Sequence, residues 1–286
     1  MKSFAVIGNP VEHSLSPLLH HWVFGQLHID ASYSKLHVTK NQIPHVISKL
    51  RDGKLDGINI TLPHKSAIIP FLDELNIRAN QMMAVNCLTI NDEKLMGYNT
   101  DWFGFRMLLQ ENNIDIDEKT FLILGAGGVA KSVLYTLIQL DAGKITISNR
   151  TQDHAEQLIS SMQQMAESTE LKIIPLENIE NHLKNNTIVI NCTSIGLKPL
   201  VDASPLSKHI IHGELILIDT IYAPLKTRFL KFGEEAGAAT INGLDMFIHQ
   251  GLASLDIWFG KPYSQQVDNS ALKHYLEDKI MNENKS

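Results

Sequence analysis

A two-domain α/β fold, with a doubly wound parallel sheet in the middle of the chain, is predicted by three features of the sequence. From Phe121 onward, short apolar runs of strand length alternate with longer helical patterns, the sign of βαβ units and a parallel sheet. One of those runs opens directly into a glycine-rich turn, Gly125-Ala126-Gly127-Gly128-Val129-Ala130. At 286 residues the chain is long enough for about two domains, and the pattern changes near Trp102 and again near Gly243.

Residues 121–124 (FLIL) have the pattern of a strand buried on both faces. The turn after them reads G-x-G-x-x-A, one of the two forms of the dinucleotide-binding fingerprint. Its glycines let the backbone turn tightly and bring N–H groups close to a pyrophosphate. Val129, Val133 and Leu134 then begin a helix whose N-terminus faces that anion with partial positive charge. Alone, such a motif is weak, because glycine-rich turns are common. Here a strand precedes it, a helix follows, and a second strand at residues 144–148 (KITIS) closes the unit. Together they predict a Rossmann-type nucleotide domain over a merely structural turn.

The end of that second strand points to the cofactor. Chains that hold NAD commonly place an Asp or Glu there for the ribose 2′-hydroxyl. Asn149-Arg150-Thr151 stands there instead. No carboxylate in that triplet repels a 2′-phosphate, and a guanidinium is available to bind one. The expectation is NADP, held by Gly125, Ala126, Gly127, Gly128 and Val129 together with Asn149, Arg150 and Thr151. The plainer alternative is an exposed Arg beside Thr151 as a helix N-cap.

Composition narrows the classes. Apolar residues at 44% support a sizeable core and argue against bulk disorder. A net charge of −6 offers no basic footprint for nucleic acid. No apolar run approaches the roughly 20 residues of a membrane span. The run inside MKSFAVIGNP is too short for a signal peptide and reads as a strand. Cys87 and Cys192 are far apart and make no C-x-x-C, so a reducing cytoplasm is expected and a disulfide framework is not. The 13 histidines include no H-E-x-x-H and no paired Cys/His spacing, so no metal site is expected.

In chain order, residues 4–7 form a first strand, broken at Gly8-Asn9-Pro10. His13-Ser14-Leu15-Ser16-Pro17 leads into a helix carrying Leu18, Leu19, Trp22 and Val23, with Pro17 suited to its first position. Ser14 and Ser16 are two apart, so an extended turn can aim both hydroxyls the same way; an ordinary N-cap by Ser16 is the alternative. Residues 31–38 alternate like a strand and residues 42–50 like a helix. In residues 57–65 (GINITLPHK), Ile58, Ile60 and Leu62 alternate with Asn59 and Thr61. That pattern puts the apolar set in the core and the polar set on an outward face, with Lys65 arriving on the polar side after Pro63. Residues 84–90 and 93–98 read as a hairpin through Asn91-Asp92, and Asn86 lies among apolar neighbours, where a buried amide needs partners. Asp101 opens a helix carrying Phe105, Met107, Leu108 and Leu109, and a plain N-cap would be its structural role.

Beyond the glycine-rich unit, a helix is expected over residues 151–165 and strands over 171–174, 186–191 and 215–219. The last two strands end near Thr193 and near Ile221-Tyr222, beyond the strand C-termini where ligands of doubly wound sheets lie. Asn242-Gly243 breaks the alternation. A helix follows with Leu244, Phe247, Ile248, Leu252 and Leu255 at helical spacing and Gln250 upon it, then another over 270–281. The flanks are therefore expected to assemble one discontinuous α/β domain, residues 1–102 plus 243–286, around a nucleotide domain of residues 103–242.

Several of these stretches together resemble one family, the shikimate dehydrogenases. They are Ser14-Leu15-Ser16-Pro17 with His20, Asn59-Ile60-Thr61-Leu62-Pro63-His64-Lys65, Ala84-Val85-Asn86 and Gly97-Tyr98-Asn99-Thr100-Asp101. The glycine-rich turn, Asn149-Arg150-Thr151, Asp219 with Tyr222 and Pro224, and Gly243-Leu244-Asp245-Met246 with Gln250 complete the set. Each is weak alone; in family order across nearly the whole chain they are specific. The resemblance implies a reversible, NADP-linked interconversion of 3-dehydroshikimate and shikimate, the ketone reduction of chorismate and aromatic amino-acid biosynthesis. It implies Lys65 and Asp101 as the catalytic pair. It implies Ser14, Ser16, Thr61, Asn86, Tyr222 and Gln250 as substrate ligands with Asn59 beside them, and Thr193, Ile221 and Gly243 along the nicotinamide half of the cofactor. The chemistry agrees: reducing a ketone needs a hydride on carbon and a proton on oxygen, and a Lys ammonium can donate the proton. Three positions depart from the family pattern. Met83 and Cys87 stand where Gly and Thr flank Ala-Val-Asn, and His154 where a Lys is frequent.

Other readings stay open at this point. A quinate-active relative of broader specificity would use NAD and carry an acid near the second strand end. A non-catalytic NADP-binding regulatory protein would have no use for an intact Lys65 and Asp101. A folate-type or other amino-acid-linked dehydrogenase would leave Ser14-Leu15-Ser16-Pro17 unexplained. The expected partner is a small molecule, and a monomer and a homodimer are both compatible with the sequence.

Overall fold

The computed structural model describes residues 1–117, 119–183 and 187–283; Asn186, expected to open a strand, and residues 284–286, expected to close the first domain, lie outside the described residues. The chain divides into two compact units, Met1–Gly104 with Ile248–Leu276, and Phe105–Phe247 with Glu277–Ser286.

The elements run β1 (Lys2–Gly8), α1 (Ser16–Gln26), β2 (Ala31–His37), α2 (Ile43–Arg51), β3 (Gly57–Ile60), β4 (Glu74–Leu75), α3 (Ile77–Met82), β5 (Cys87–Asn91), β6 (Lys94–Tyr98) and α4 (Asp101–Glu111). The chain continues through β7 (Thr120–Leu124), α5 (Gly128–Gln139), β8 (Lys144–Ser148), α6 (Gln152–Met162), β9 (Glu170–Ile173), β10 (Thr187–Asn191), β11 (Ile216–Asp219), α7 (Arg228–Glu235), β12 (Ala239–Ile241), α8 (Leu244–Phe259) and α9 (Asn269–Glu283).

The first unit holds a mixed sheet of order β2-β1-β3-β5-β6-β4. Its first three strands are parallel, and β5 and β6 form an antiparallel hairpin. The turn falls at Asp92 and Glu93, both at positive φ, the geometry a two-residue hairpin turn requires, and so one residue later than Asn91-Asp92. On one face, α2 buries Ile43, Val46, Ile47 and Leu50, a helical stripe of i, i+3, i+4 and i+7. They pack with Ile7, Ile58, Ile60 and Leu88, and each such side chain contributes about 1.5–3 kcal/mol on burial. Trp258 of α8 stacks on Phe4 at 4.5 Å and donates its indole N–H to Leu88 O at 3.0 Å. Every residue of β3 is buried. The alternation in GINITL therefore does not mark a solvated face: Asn59 is buried, whereas Leu62, expected inside, is exposed beyond the strand end.

The second unit is a fully parallel sheet of order β12-β11-β10-β7-β8-β9. Chain order reverses between β7 and β10, which makes the ends of these two strands the topological switch point. All five residues of β10 are buried, as expected of a strand covered on both sides. Phe229 of α7 packs with Leu217 of β11 in the core.

Candidate active site

In the first unit the elements bring a lysine and an aspartate together. Lys65 lies in the loop after β3, where its carbonyl accepts the Val85 N–H at 2.8 Å. Asp101 is the first residue of α4, where the helix dipole favours a carboxylate. Lys65 Nζ donates to Asp101 Oδ2 at 2.5 Å, with side chains 9% and 7% exposed. A buried pair of this kind persists because each charge compensates the other. Asp101 is not a plain N-cap. Its other oxygen accepts from Asn86 Nδ2 at 2.8 Å, and its own N–H donates to Asn99 Oδ1 at 3.0 Å.

Asn86 finds the partners its burial demands. Its Oδ1 accepts the Thr100 N–H at 2.7 Å, and its Nδ2 also approaches Thr100 Oγ1 at 2.9 Å and Gln250 Oε1 at 3.3 Å. Asn59 is engaged throughout: Oδ1 accepts from the Tyr33 hydroxyl at 2.7 Å, and Nδ2 donates to Asn86 O at 3.1 Å and Ser254 Oγ at 2.9 Å. The Ser14 hydroxyl donates to Ser16 Oγ at 3.1 Å and accepts the Ser16 N–H at 3.3 Å. Leu15, not Ser16, occupies the N-cap position of α1. Thr61 is half-buried, with its N–H on Ile7 O at 2.9 Å. One network thus joins Lys65, Asp101, Asn86, Gln250 and Asn59. Tyr33, Thr100 and Ser254 complete it; Thr100 lies inside the 97–101 stretch but the resemblance implies no role for it, no motif marks Tyr33, and the only local signal for Ser254 is a polar residue one turn after Gln250.

Met83 shows why a glycine would suit its position. It follows α3 at φ 46° and ψ 45°, the left-handed region, with its side chain exposed. A side chain in that region costs about 1–2 kcal/mol. Met83→Gly is expected to raise stability by about 0.5–1 kcal/mol after the greater freedom of the unfolded chain is set against the relief. Urea unfolding midpoints of the two proteins check this; a lower midpoint in the variant would refute it.

The second unit carries the glycine-rich turn at the switch point. Gly125 has φ 106°, and a Cβ there would sit 3.1 Å from the Cys192 backbone. Helix α5 starts at Gly128 with Gly127 as N-cap and no capping side chain, and the space where a Gly127 Cβ would project is open. Ala126 and Val129 flank these positions, half-buried. Close backbone, open space and an uncapped helix start fit a dinucleotide pyrophosphate. After β8, Asn149 Nδ2 donates to Thr151 O at 2.8 Å and shapes the loop. Thr151 holds the N-cap position of α6 without a side-chain capping bond. Arg150 is exposed, and among the described residues no carboxylate pairs with it. These residues fit a 2′-phosphate.

The loops after β10 and β11 are tied together. Thr193 donates its N–H and hydroxyl to Asn191 Oδ1 at 3.0 and 2.7 Å, and Asn191 Nδ2 donates to Asp219 Oδ1 at 3.0 Å. Asp219 also accepts the Ile221 N–H at 3.1 Å and the Thr227 hydroxyl at 2.6 Å. Gly243 donates to Ile221 O at 3.0 Å, and any Cβ on it would meet Thr220 O at 2.3 Å. Tyr222 stacks on Phe247 with centroids 4.1 Å apart.

Burial pushes the Asp219 carboxyl up to about 6 from 3.8, against the pull of bonds from Thr227, Ile221 and Asn191. A raised carboxyl contributes stability that is present below its unfolded value and lost as pH rises through about 6. Relative to Asp219→Asn, the wild type is therefore expected to gain about 2 kcal/mol as pH falls from neutrality to about 4. Urea unfolding of both across that range reads the difference, and parallel curves would exclude it.

A glycine turn of this geometry on a parallel sheet defines an α/β dinucleotide-binding protein. Family models define it further: residues 6–88 match the shikimate dehydrogenase substrate binding domain, residues 107–221 the shikimate/quinate 5-dehydrogenase domain, and residues 243–273 the shikimate 5′-dehydrogenase C-terminal domain. The chain belongs to the shikimate dehydrogenase family. It is 39% identical to the shikimate dehydrogenase (NADP(+)) of Geobacillus kaustophilus, over 91% of this chain and 93% of that one. Among solved structures, a shikimate dehydrogenase in complex with NADP+ superposes with a TM-score of 0.86 at 33% identity, covering 98% of this chain and 96% of that one. The shikimate 5-dehydrogenase of Thermus thermophilus in complex with NADP(H) and shikimate superposes with a TM-score of 0.83 at 30% identity, covering 98% and 100%. Among the described residues no helix is long and apolar enough to cross a membrane, and no cluster of His, Cys, Asp or Glu could hold a metal ion.

Proposed function

We propose that this protein is an NADP-dependent shikimate dehydrogenase that interconverts 3-dehydroshikimate and shikimate. The buried Lys65–Asp101 pair, 2.5 Å apart and braced by Asn86, carries the reading. Bound NADPH supplies the hydride to the ketone carbon. Lys65 Nζ donates the proton to the ketone oxygen as it becomes a hydroxyl, and takes a proton from that hydroxyl in the reverse direction. Asp101 keeps the amine aimed and balances its charge, and Asn86 fixes the carboxylate. Ser14, Ser16, Thr61, Asn86 and Gln250 supply the hydroxyl and amide groups that a polyhydroxylated ring acid needs. A site built to bond each substrate hydroxyl rejects analogues that lack one. Gly125, Ala126, Gly127, Gly128 and Val129 receive the pyrophosphate on backbone N–H groups. Asn149, Arg150 and Thr151 hold the 2′-phosphate, and Thr193, Ile221 and Gly243 shape the nicotinamide end. The enzyme works in the cytoplasm, as a monomer or a homodimer.

Reduced-nicotinamide absorbance in four mixtures tests this, pairing shikimate or quinate with NADP or NAD. Turnover with shikimate and NADP well above the other three is the expected result. Preference for quinate or NAD would replace the reading with a broader-specificity relative. No turnover in any mixture, with NADP still bound, would favour a non-catalytic protein.

A further inference from the structure

We infer that Tyr33, Asn59 and Ser254 are positioning residues for the acid–base pair, forming a buried hydrogen-bond chain that sets the rotation of the Asn86 amide and, through it, the Asp101 carboxylate. This deepens the proposed function and rests on it. Asn59 thereby becomes a support of the site instead of a substrate ligand.

The argument follows the hydrogens. Ser254 is fully buried, and its hydroxyl donates to Gln250 O, one turn back in α8, at 3.0 Å. Two acceptor positions remain on its oxygen. Asn59 Nδ2 fills one at 2.9 Å, and the Thr100 hydroxyl, 3.2 Å away, fills the other, with the Cys87 thiol alongside. With its proton turned to Ser254, Thr100 Oγ1 is an acceptor toward Asn86 Nδ2 at 2.9 Å. The Thr100 N–H meanwhile takes Asn86 Oδ1 at 2.7 Å. Only one rotation of the Asn86 amide satisfies both contacts, and that rotation aims its remaining hydrogen at Asp101 Oδ1, 2.8 Å away.

Asn59 is fixed in the same manner. The Tyr33 hydroxyl must donate to Oδ1, which forces Nδ2 toward Asn86 O and Ser254. Tyr33 is held by stacking on His20 with centroids 4.4 Å apart, and burial pushes the His20 imidazole down to about 3, so the ring is uncharged. Ser254 decides the outcome because Thr100 has a second acceptor within reach, Asn86 Oδ1 at 3.2 Å. Without the serine hydroxyl, Thr100 turns there, and one Asn59 hydrogen loses its partner. The disturbance then travels to Asp101, while Ser14, Ser16 and the glycine-rich turn are untouched.

The test uses Ser254→Ala, Tyr33→Phe and Ser254→Thr in the full-length enzyme, each checked for a cooperative thermal transition. Ser254→Ala and Tyr33→Phe are expected to lower kcat for shikimate by about tenfold with KM for NADP within about twofold of wild type. Ser254→Thr, which keeps the hydroxyl, is expected to restore most of kcat. Crystal structures of the two disabling variants are expected to show the Asn86–Asp101 hydrogen bond broken. Wild-type kcat in both, or Asn86 and Asp101 unmoved in both crystals, overturns the inference. If the wild type itself does not turn over shikimate, the functional reading fails, and the crystal structures alone decide the positioning role.

Discussion

Lys65→Ala is expected to lower kcat for shikimate by about a hundred- to ten-thousand-fold while KM for NADP stays nearly constant. In the proposed mechanism Nζ carries the proton in both directions, and an alanine side chain has no group that can replace it. The same change leaves Asp101 as an uncompensated charge only 5% exposed. Breaking one half of a buried pair costs about 3–5 kcal/mol of stability, so the loss of activity must be separated from a loss of folded protein. The double variant Lys65→Ala/Asp101→Ala separates them. With the orphaned carboxylate gone, its unfolding midpoint is expected to recover part of the loss, while kcat stays as low as in the single variant. Stopped-flow binding of NADPH to each variant, with steady-state rates at saturating shikimate, reads both quantities. A single variant that retains more than a tenth of wild-type kcat would remove Lys65 from the proposed mechanism.

What is legible in one sequence depends on how locally the physics is decided. The β7–α5–β8 unit reads cleanly because its strand, turn and helix are each set by adjacent residues. The Lys65–Asp101 pair is legible only through the resemblance, since a sequence separation of 36 hides the contact. Asn59 shows the limit most sharply. Its alternation with Ile58 and Ile60 predicts only that it faces outward from the core, yet α8 covers it and supplies Ser254, 195 residues away, as a partner. No local window contains that contact. Short elements escape for a different reason. Strand β12 has three residues and β4 two, too few for a period to register. Helix α7 carries Gly233, where a Cβ would sit 2.6 Å from Leu217, so the packing that demands glycine weakens the helical signal. Met83 is the opposite case: its mismatch with the family pattern is visible in sequence, and the structure shows the left-handed backbone behind it.

Arg150→Ala is expected to raise KM for NADP by about 10- to 100-fold and to leave KM for NAD unchanged, because only NADP carries the 2′-phosphate. The size follows from a charge-assisted bond worth about 1.5–3 kcal/mol, reduced here because Arg150 is exposed and competes with water. Exposure also predicts salt dependence. A contact open to solvent weakens as the Debye length falls from about 10 Å at 0.1 M salt to about 3 Å at 1 M. The ratio of the two KM values in the wild type should therefore narrow with added salt, and in Arg150→Ala it should already be narrow and flat. Asn149 contributes differently. Its side chain donates to Thr151 O within the protein, so Asn149→Ala should loosen the loop and raise both KM values together. In the proposed site, selectivity therefore rests on Arg150 and loop shape on Asn149. Equal rises for NADP and NAD in Arg150→Ala would show that the guanidinium serves the fold of the loop and not the phosphate.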